Sequence, residues 1–160
     1  MRWFVKTLAT VCGLGYLPKA PGTAGSAAGL VLGFLTAPGL DASQPYPPGV
    51  LAALVAALLI GVISATHAER LSGLHDPGWI VIDECVGMWA VFVMAPSATT
   101  PALAAAAFAL FRLFDTVKPP PLERLARLPG GWGIMMDDLG ASVYTVLVLW
   151  LARPVIRLPW

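Results

Sequence analysis

The chain alternates long uncharged stretches with short charged ones. Ala24 to Leu40 runs 17 residues without a charge, Val50 to Thr66 another 17, Cys85 to Phe111 27, and Leu139 to Ala152 14. The third run is divided by Pro96 and Pro101, which end one helix and start the next. The pattern predicts about four to five apolar helices, some spanning and some short, since about 20 residues cross the hydrocarbon core at 1.5 Å per residue. The first run, Ala-Gly-Ser-Ala-Ala-Gly-Leu-Val-Leu-Gly, is rich in small residues and predicts a re-entrant or closely packed helix. With no strand-like alternation and no internal repeat, the expected fold is all-α, a small polytopic membrane bundle forming one domain over residues 1–160.

Composition strengthens the membrane reading. Hydrophobic residues make up 58% of the 160 residues and charged ones 12%, half the usual share for a soluble domain. Such a chain cannot cover an ordinary wet surface, nor is it disordered. A net charge of +1 gives no field to gather nucleic acid. Cys12 and Cys85 lie far apart and read as small buried hydrophobes. The basic N-terminus resembles a signal peptide, but Lys6 interrupts its apolar run and no cleavage is expected.

The polar segments are uneven. Arg2, Lys6 and Lys19 precede the first run, Arg70 lies between the second and third, and Arg112, Lys118, Arg124 and Arg127 precede the last. The linker from Asp41 to Gly49 has an acid and no base. If the chain crosses at each run, these bases share one side, which the positive-inside rule makes cytoplasmic. Arg153 and Arg157 break this pattern unless they snorkel or the last run does not cross.

Five carboxylates stand where such basic segments meet apolar runs: Asp83 and Glu84, Asp115, and Asp137 and Asp138. They are expected to converge at one membrane face, where mutual repulsion calls for a hard divalent cation such as Mg²⁺ or Mn²⁺. The plainer alternative makes them helix caps, Asp137 or Asp138 above all. Arg112, Asp115 and Lys118 follow at i, i+3 and i+6, a cation–acid grouping suited to a phosphoryl group. Lys19, Thr23 and Ser26 lie in a glycine-punctuated entry to the first apolar helix, where backbone N–H groups and hydroxyls suit an oxyanion. Gly130-Gly131-Trp132-Gly133 reads as a turn bringing backbone close to the site, Glu69 as a possible further ligand, and Asp76 as a turn former.

Four segments, Leu17–Ser26, His75–Gly87, Phe111–Pro121 and Gly130–Asp138, together resemble the bacterial phosphatidylglycerophosphatase A family, in order and at matching spacing. The resemblance implies an integral inner-membrane lipid phosphatase that needs Mg²⁺; with the positive-inside reading, a multi-pass protein whose active site faces the cytoplasm is expected. Its substrate is a membrane phospholipid, phosphatidylglycerophosphate, met at an anionic bilayer and converted to phosphatidylglycerol and inorganic phosphate. Residue by residue, the acidic motifs fall on Asp83, Glu84, Asp115, Asp137 and Asp138, and the lysines on Lys19 and Lys118. The expected mechanism has Mg²⁺ on these acids activating a water, with Lys19, Arg112 and Lys118 neutralising the phosphate and Thr23 and Ser26 donating hydrogen bonds. A small metal-ion transporter using the same acids is the competing reading, although the middles of the apolar runs carry no charge.

Overall fold

A computed structural model describes residues 2–37, 47–96 and 100–156, without the side chains of Arg2 and residues 153–156. Asp41, most of its linker, and Arg157 lie outside the described residues, as does the side chain of Arg153. The helices are α1 (Arg2–Ala9), α2 (Pro21–Thr36), α3 (Pro48–Ser72), α4 (Ile82–Met94), α5 (Pro101–Val117), α6 (Leu122–Leu125) and α7 (Gly131–Ile156), and the described residues contain no strand. Proline opens α2, α3 and α5, where its missing N–H has no intrahelical partner to lose. Gly73 ends α3 in the left-handed region, with its N–H on the Glu69 carbonyl.

Two helices, α3 at 25 residues and α7 over Gly131–Ala152, are long and apolar enough to cross a membrane. Their outward faces, with Leu51, Val55, Leu59 and Ile63 on α3 and Val143, Leu147, Trp150 and Leu151 on α7, are exposed. α2, α4 and α5 have 16, 13 and 17 residues. α4 is the inner helix. Apart from half-buried Glu84 it is buried from Ile82 to Val93, as a helix apolar on all sides must be.

α2 lies against α4 along Gly22, Gly25, Gly29 and Gly33, which recur on one helical face. A Cβ on Gly29 would come within 2.2 Å of the Cys85 carbonyl oxygen, so only glycine admits this approach. The first apolar run is therefore a closely packed helix, one of the two expected forms. On the other side of α4, Phe111 of α5 and Ser142 of α7 complete the packing. Phe111 is fully buried with Phe92 and Met88, and the Ser142 hydroxyl lies 2.7 Å from the Gly87 carbonyl oxygen.

This connectivity brings the N-terminal ends of α2, α4 and α7 together with the C-terminal ends of α3 and α5. The Gly131 N–H donates to Thr66 Oγ1 at 2.8 Å, and Arg112 Nη1 reaches Ser26 Oγ at 3.4 Å. Gly130 and Gly131 thus make their close approach to Val62 and Thr66 of α3, not to the acids. The expected turn is displaced too, because α7 already begins at Gly131.

Candidate active site

Asp83 and Glu84 stand in the first turn of α4, and Asp137 and Asp138 about two turns into α7. A helix has free N–H groups only in its first turn, so Asp137 and Asp138 cannot cap α7. The N-cap residue of α4 is Val81, whose side chain cannot cap, and Asp83 and Glu84 follow it in the first turn. The capping alternative fails for Asp137 and Asp138.

One carboxylate oxygen from each of Asp83, Glu84 and Asp138 lies within 4.8 Å of the other two. Asp83 and Asp138 are 7% and 2% exposed. Asp83 Oδ1, Glu84 Oε2 and Asp138 Oδ2 are buried with no hydrogen-bond partner. An unpaired buried carboxylate is costly, and three together are costlier still. Burial, followed by the charges of Glu84 and Asp138, pushes Asp83 well above the ordinary carboxylate range. Burial likewise raises Glu84, against the pull of Arg112. Buried anionic oxygens at this spacing fit a hard divalent cation, which takes oxygen ligands.

The other two acids are already partnered. Arg112 Nη1 donates to Asp115 Oδ2 at 2.7 Å and sits 3.7 Å from Glu84 Oε1. Lys118 is hydrogen-bonded to buried Asp137, whose second oxygen accepts the Asp138 N–H at 3.1 Å. Burial works against the Lys118 ammonium, but Asp137 outweighs it and leaves the lysine above its ordinary value. The five acids therefore divide into an open triad, each member keeping one buried oxygen without a hydrogen bond, and two members hydrogen-bonded to a cation, Asp115 and Asp137. Asp115 still acts on Glu84 through its charge, and on Asp138 through its charge and a side-chain hydrogen bond. Lys118 reaches Asp137 from outside the helix, because α5 stops at Val117 and Lys118 turns into the left-handed region at φ 46°. The i, i+3, i+6 face ends one residue early: Arg112 meets Asp115, while Lys118 pairs with Asp137.

Ser26 is buried and donates to the Gly22 carbonyl at 2.9 Å, with Arg112 on its oxygen. Lys19 and Thr23 are exposed and make no side-chain hydrogen bond or ion pair among the described residues. Glu69 turns away: its Oε1 accepts from His75 Nδ1 at 2.6 Å and from the Asp76 N–H at 3.0 Å, which removes it from the expected ligand shell. Two residues carry more than their sequence reading. Asp76 acts by charge on Asp83, Asp137 and Lys118, and shares with Asp137 a small cavity of about 70 Å³. Gly22 faces Glu84, and a Cβ there would fall 2.2 Å from Glu84 Oε1. Its place beside Lys19 and Ser26 in a phosphate-type loop was the available signal. Cys85 is buried, in keeping with an inert core residue.

The sequence profile of the family described as phosphatidylglycerophosphatase A matches residues 7–153, enclosing every element of this site. The chain belongs to the phosphatidylglycerophosphatase A family. It is 37% identical over 149 residues to a Haemophilus influenzae protein named phosphatidylglycerophosphatase A, covering 91% of this chain and 86% of that one. It is 36% identical over 146 residues to the Escherichia coli protein of the same name, covering 89% and 80%. A Bacteroides thetaiotaomicron protein, provisionally named a phosphatidylinositol-3-phosphatase, is 36% identical over 159 residues, covering 93% of each chain. No solved structure matches the chain. Phosphatidylglycerophosphatases are phosphoric monoester hydrolases. All four motif segments of the family resemblance contribute residues to the end of the bundle that holds the acids.

Proposed function

We propose that this phosphatidylglycerophosphatase A family member hydrolyses the terminal phosphate of phosphatidylglycerophosphate in a Mg²⁺-dependent reaction, as a multi-pass membrane protein with its site facing the cytoplasm. The observation that carries the reading is a trio of clustered carboxylates, each with one buried oxygen that has no hydrogen-bond partner, beside two cations held by Asp115 and Asp137. Asp83, Glu84 and Asp138 would hold the ion, and with it bound the site gains a Lewis acid and a means of lowering the pKa of water.

The protein's own groups have separable tasks. Arg112 bridges α5, α2 and α4 at Asp115, Ser26 and Glu84, so its guanidinium is oriented before substrate arrives. Lys118, fixed by Asp137, adds a second cation on the α7 side. Two preset cations suit a phosphomonoester, whose charge spreads over several oxygens. Lys19 and Thr23, free at the entrance to α2, are available to meet the phosphate as it enters. The acyl chains remain in the bilayer, since the acids lie at one end of the bundle. The bases clustered at that end support the cytoplasmic orientation.

The test is phosphate release by purified protein in vesicles carrying phosphatidylglycerophosphate, phosphatidylinositol 3-phosphate or phosphatidic acid in turn. Release from the first, sustained by Mg²⁺ and stopped by EDTA, is expected. Faster release from either other lipid would reassign the substrate, and unchanged release in EDTA would remove the metal.

A further inference from the structure

Away from the acids, α1 and the short 3-10 turn Leu14–Tyr16 enclose a cleft of about 390 Å³, lined in part by Trp3, Lys6, Thr7, Thr10 and Tyr16. Its chemistry is one-sided. The Lys6 side chain is exposed and makes no ion pair among the described residues. Neither the Trp3 indole N–H nor the Tyr16 hydroxyl has a hydrogen-bond partner there, while Trp3 is 79% and Tyr16 57% exposed. The Thr7 and Thr10 hydroxyls are spent on the Trp3 and Lys6 carbonyls at 3.0 and 2.7 Å. With the exposed Cys12 thiol, a weak donor, the cleft thus offers one cation and three neutral donors. No acid occurs in the first 40 residues, which contain Arg2, Lys6 and Lys19.

We propose that this cleft binds the phosphate headgroup of an anionic glycerophospholipid that is not undergoing hydrolysis. Tryptophan and tyrosine concentrate at the membrane interface, where an apolar ring and a polar tip are both satisfied. Aromatic walls alone would also suit a choline group by cation–π attraction. Lys6 decides against that occupant, because a quaternary ammonium would meet a like charge with no acid to offset it.

The cleft is firmly built onto the bundle. Val5, Leu8 and Ala9 of α1 pack towards α3, and the Ala9 carbonyl accepts the Val81 N–H at 2.9 Å. Tyr16 stacks on Trp79 with centroids 6.2 Å apart. A bound headgroup would therefore rest on a unit fastened to residues 79–81, immediately ahead of α4. The inference rests on the membrane setting proposed above, not on hydrolysis.

The Asp83→Asn variant, whose fate in a phosphatase assay is irrelevant here, is placed in phosphatidylcholine vesicles. They contain equal shares of either brominated phosphatidylserine or brominated phosphatidylcholine. Quenching of Trp3 is read as the difference from the same protein carrying Trp3→Phe. Preferential quenching by the anionic lipid is expected. Lys6→Gln should cut the preference about fivefold, the factor one lysine contributes beside an anionic surface, and Lys6→Arg should keep it. Equal quenching by the two lipids, no quenching by either, or a preference untouched by Lys6→Gln would each overturn the proposal. So would displacement of the anionic lipid by millimolar inorganic phosphate, which would make the cleft a site for the free ion.

Discussion

Replacing Asp83 by asparagine should stabilise the metal-free protein while abolishing its response to Mg²⁺. Oxygens of Asp83, Glu84 and Asp138 lie within 4.8 Å of one another. At an effective dielectric constant of 20, two full charges at that limit repel by about 3.5 kcal/mol. Asp83 takes part in two such pairs, so ionising it beside two charged neighbours costs about 7 kcal/mol. Holding an ordinary carboxyl protonated at pH 7 costs only about 4 kcal/mol. Protonation wins, in agreement with the upward displacement of Asp83 by burial, Glu84 and Asp138. The smaller figure is then the most that Asp83→Asn can recover, on the order of 10 °C in Tm for a chain of this size. The sign with pH follows. A carboxyl raised in the folded state binds more protons folded than unfolded, so metal-free stability falls as pH rises from about 3.9 through the raised value. In EDTA the variant should show a shallower slope, because Asp83's share is gone while Glu84, also raised, keeps its own. The assay is thermal unfolding in detergent, followed by tryptophan fluorescence in EDTA and in Mg²⁺ across a pH series. Mg²⁺ should raise the Tm of the wild type and leave the variant nearly unmoved, while its phosphatase rate falls at least about a hundredfold. Equal stabilisation of both proteins by Mg²⁺, or destabilisation of the variant in EDTA, would refute the reasoning.

Lys118→Met should leave Asp137 buried without its cation and cost about 2 kcal/mol, measured as a lowered Tm; Lys118→Arg should restore most of it. Gly22→Ala should displace Glu84, because its Cβ would lie 2.2 Å from Glu84 Oε1, so the rate and the Mg²⁺ requirement should change with little loss of helicity by circular dichroism. Asp115→Asn should free Arg112 from its 2.7 Å partner and lower kcat about tenfold or more, with the Mg²⁺-induced rise in Tm largely retained. A rise in Tm as small as in Asp83→Asn would instead make Asp115 a ligand.

The meeting of the acids at one end of the bundle was legible because each pair stands where a charged segment enters an apolar run. That arithmetic needs only the alternation of crossings. Their division into an open triad and two ion-paired members was not, since it depends on helix rotation and on where each helix stops. Lys118 reaches Asp137 only after α5 has ended. Asp137 and Asp138 could pass for caps because the Gly130–Gly133 segment looks like a turn, whereas three of its residues are already helical. Glu69 illustrates the same limit: it shares the acids' end of the bundle but is satisfied by His75 and the Asp76 backbone. The small-residue run did announce a closely packed helix, though not that Gly22 would face Glu84.

Two of the three triad acids ride on α4, a helix buried from Ile82 to Val93 apart from half-buried Glu84. Lateral pressure or a change in bilayer thickness acts first on the outward faces of α3 and α7, and reaches α4 only through its neighbours. Asp138, carried by α7, is the member exposed to such forces. Mechanical stress from the surrounding membrane would thus register in the two edges of the triangle that meet at Asp138, while the Asp83–Glu84 edge keeps its length.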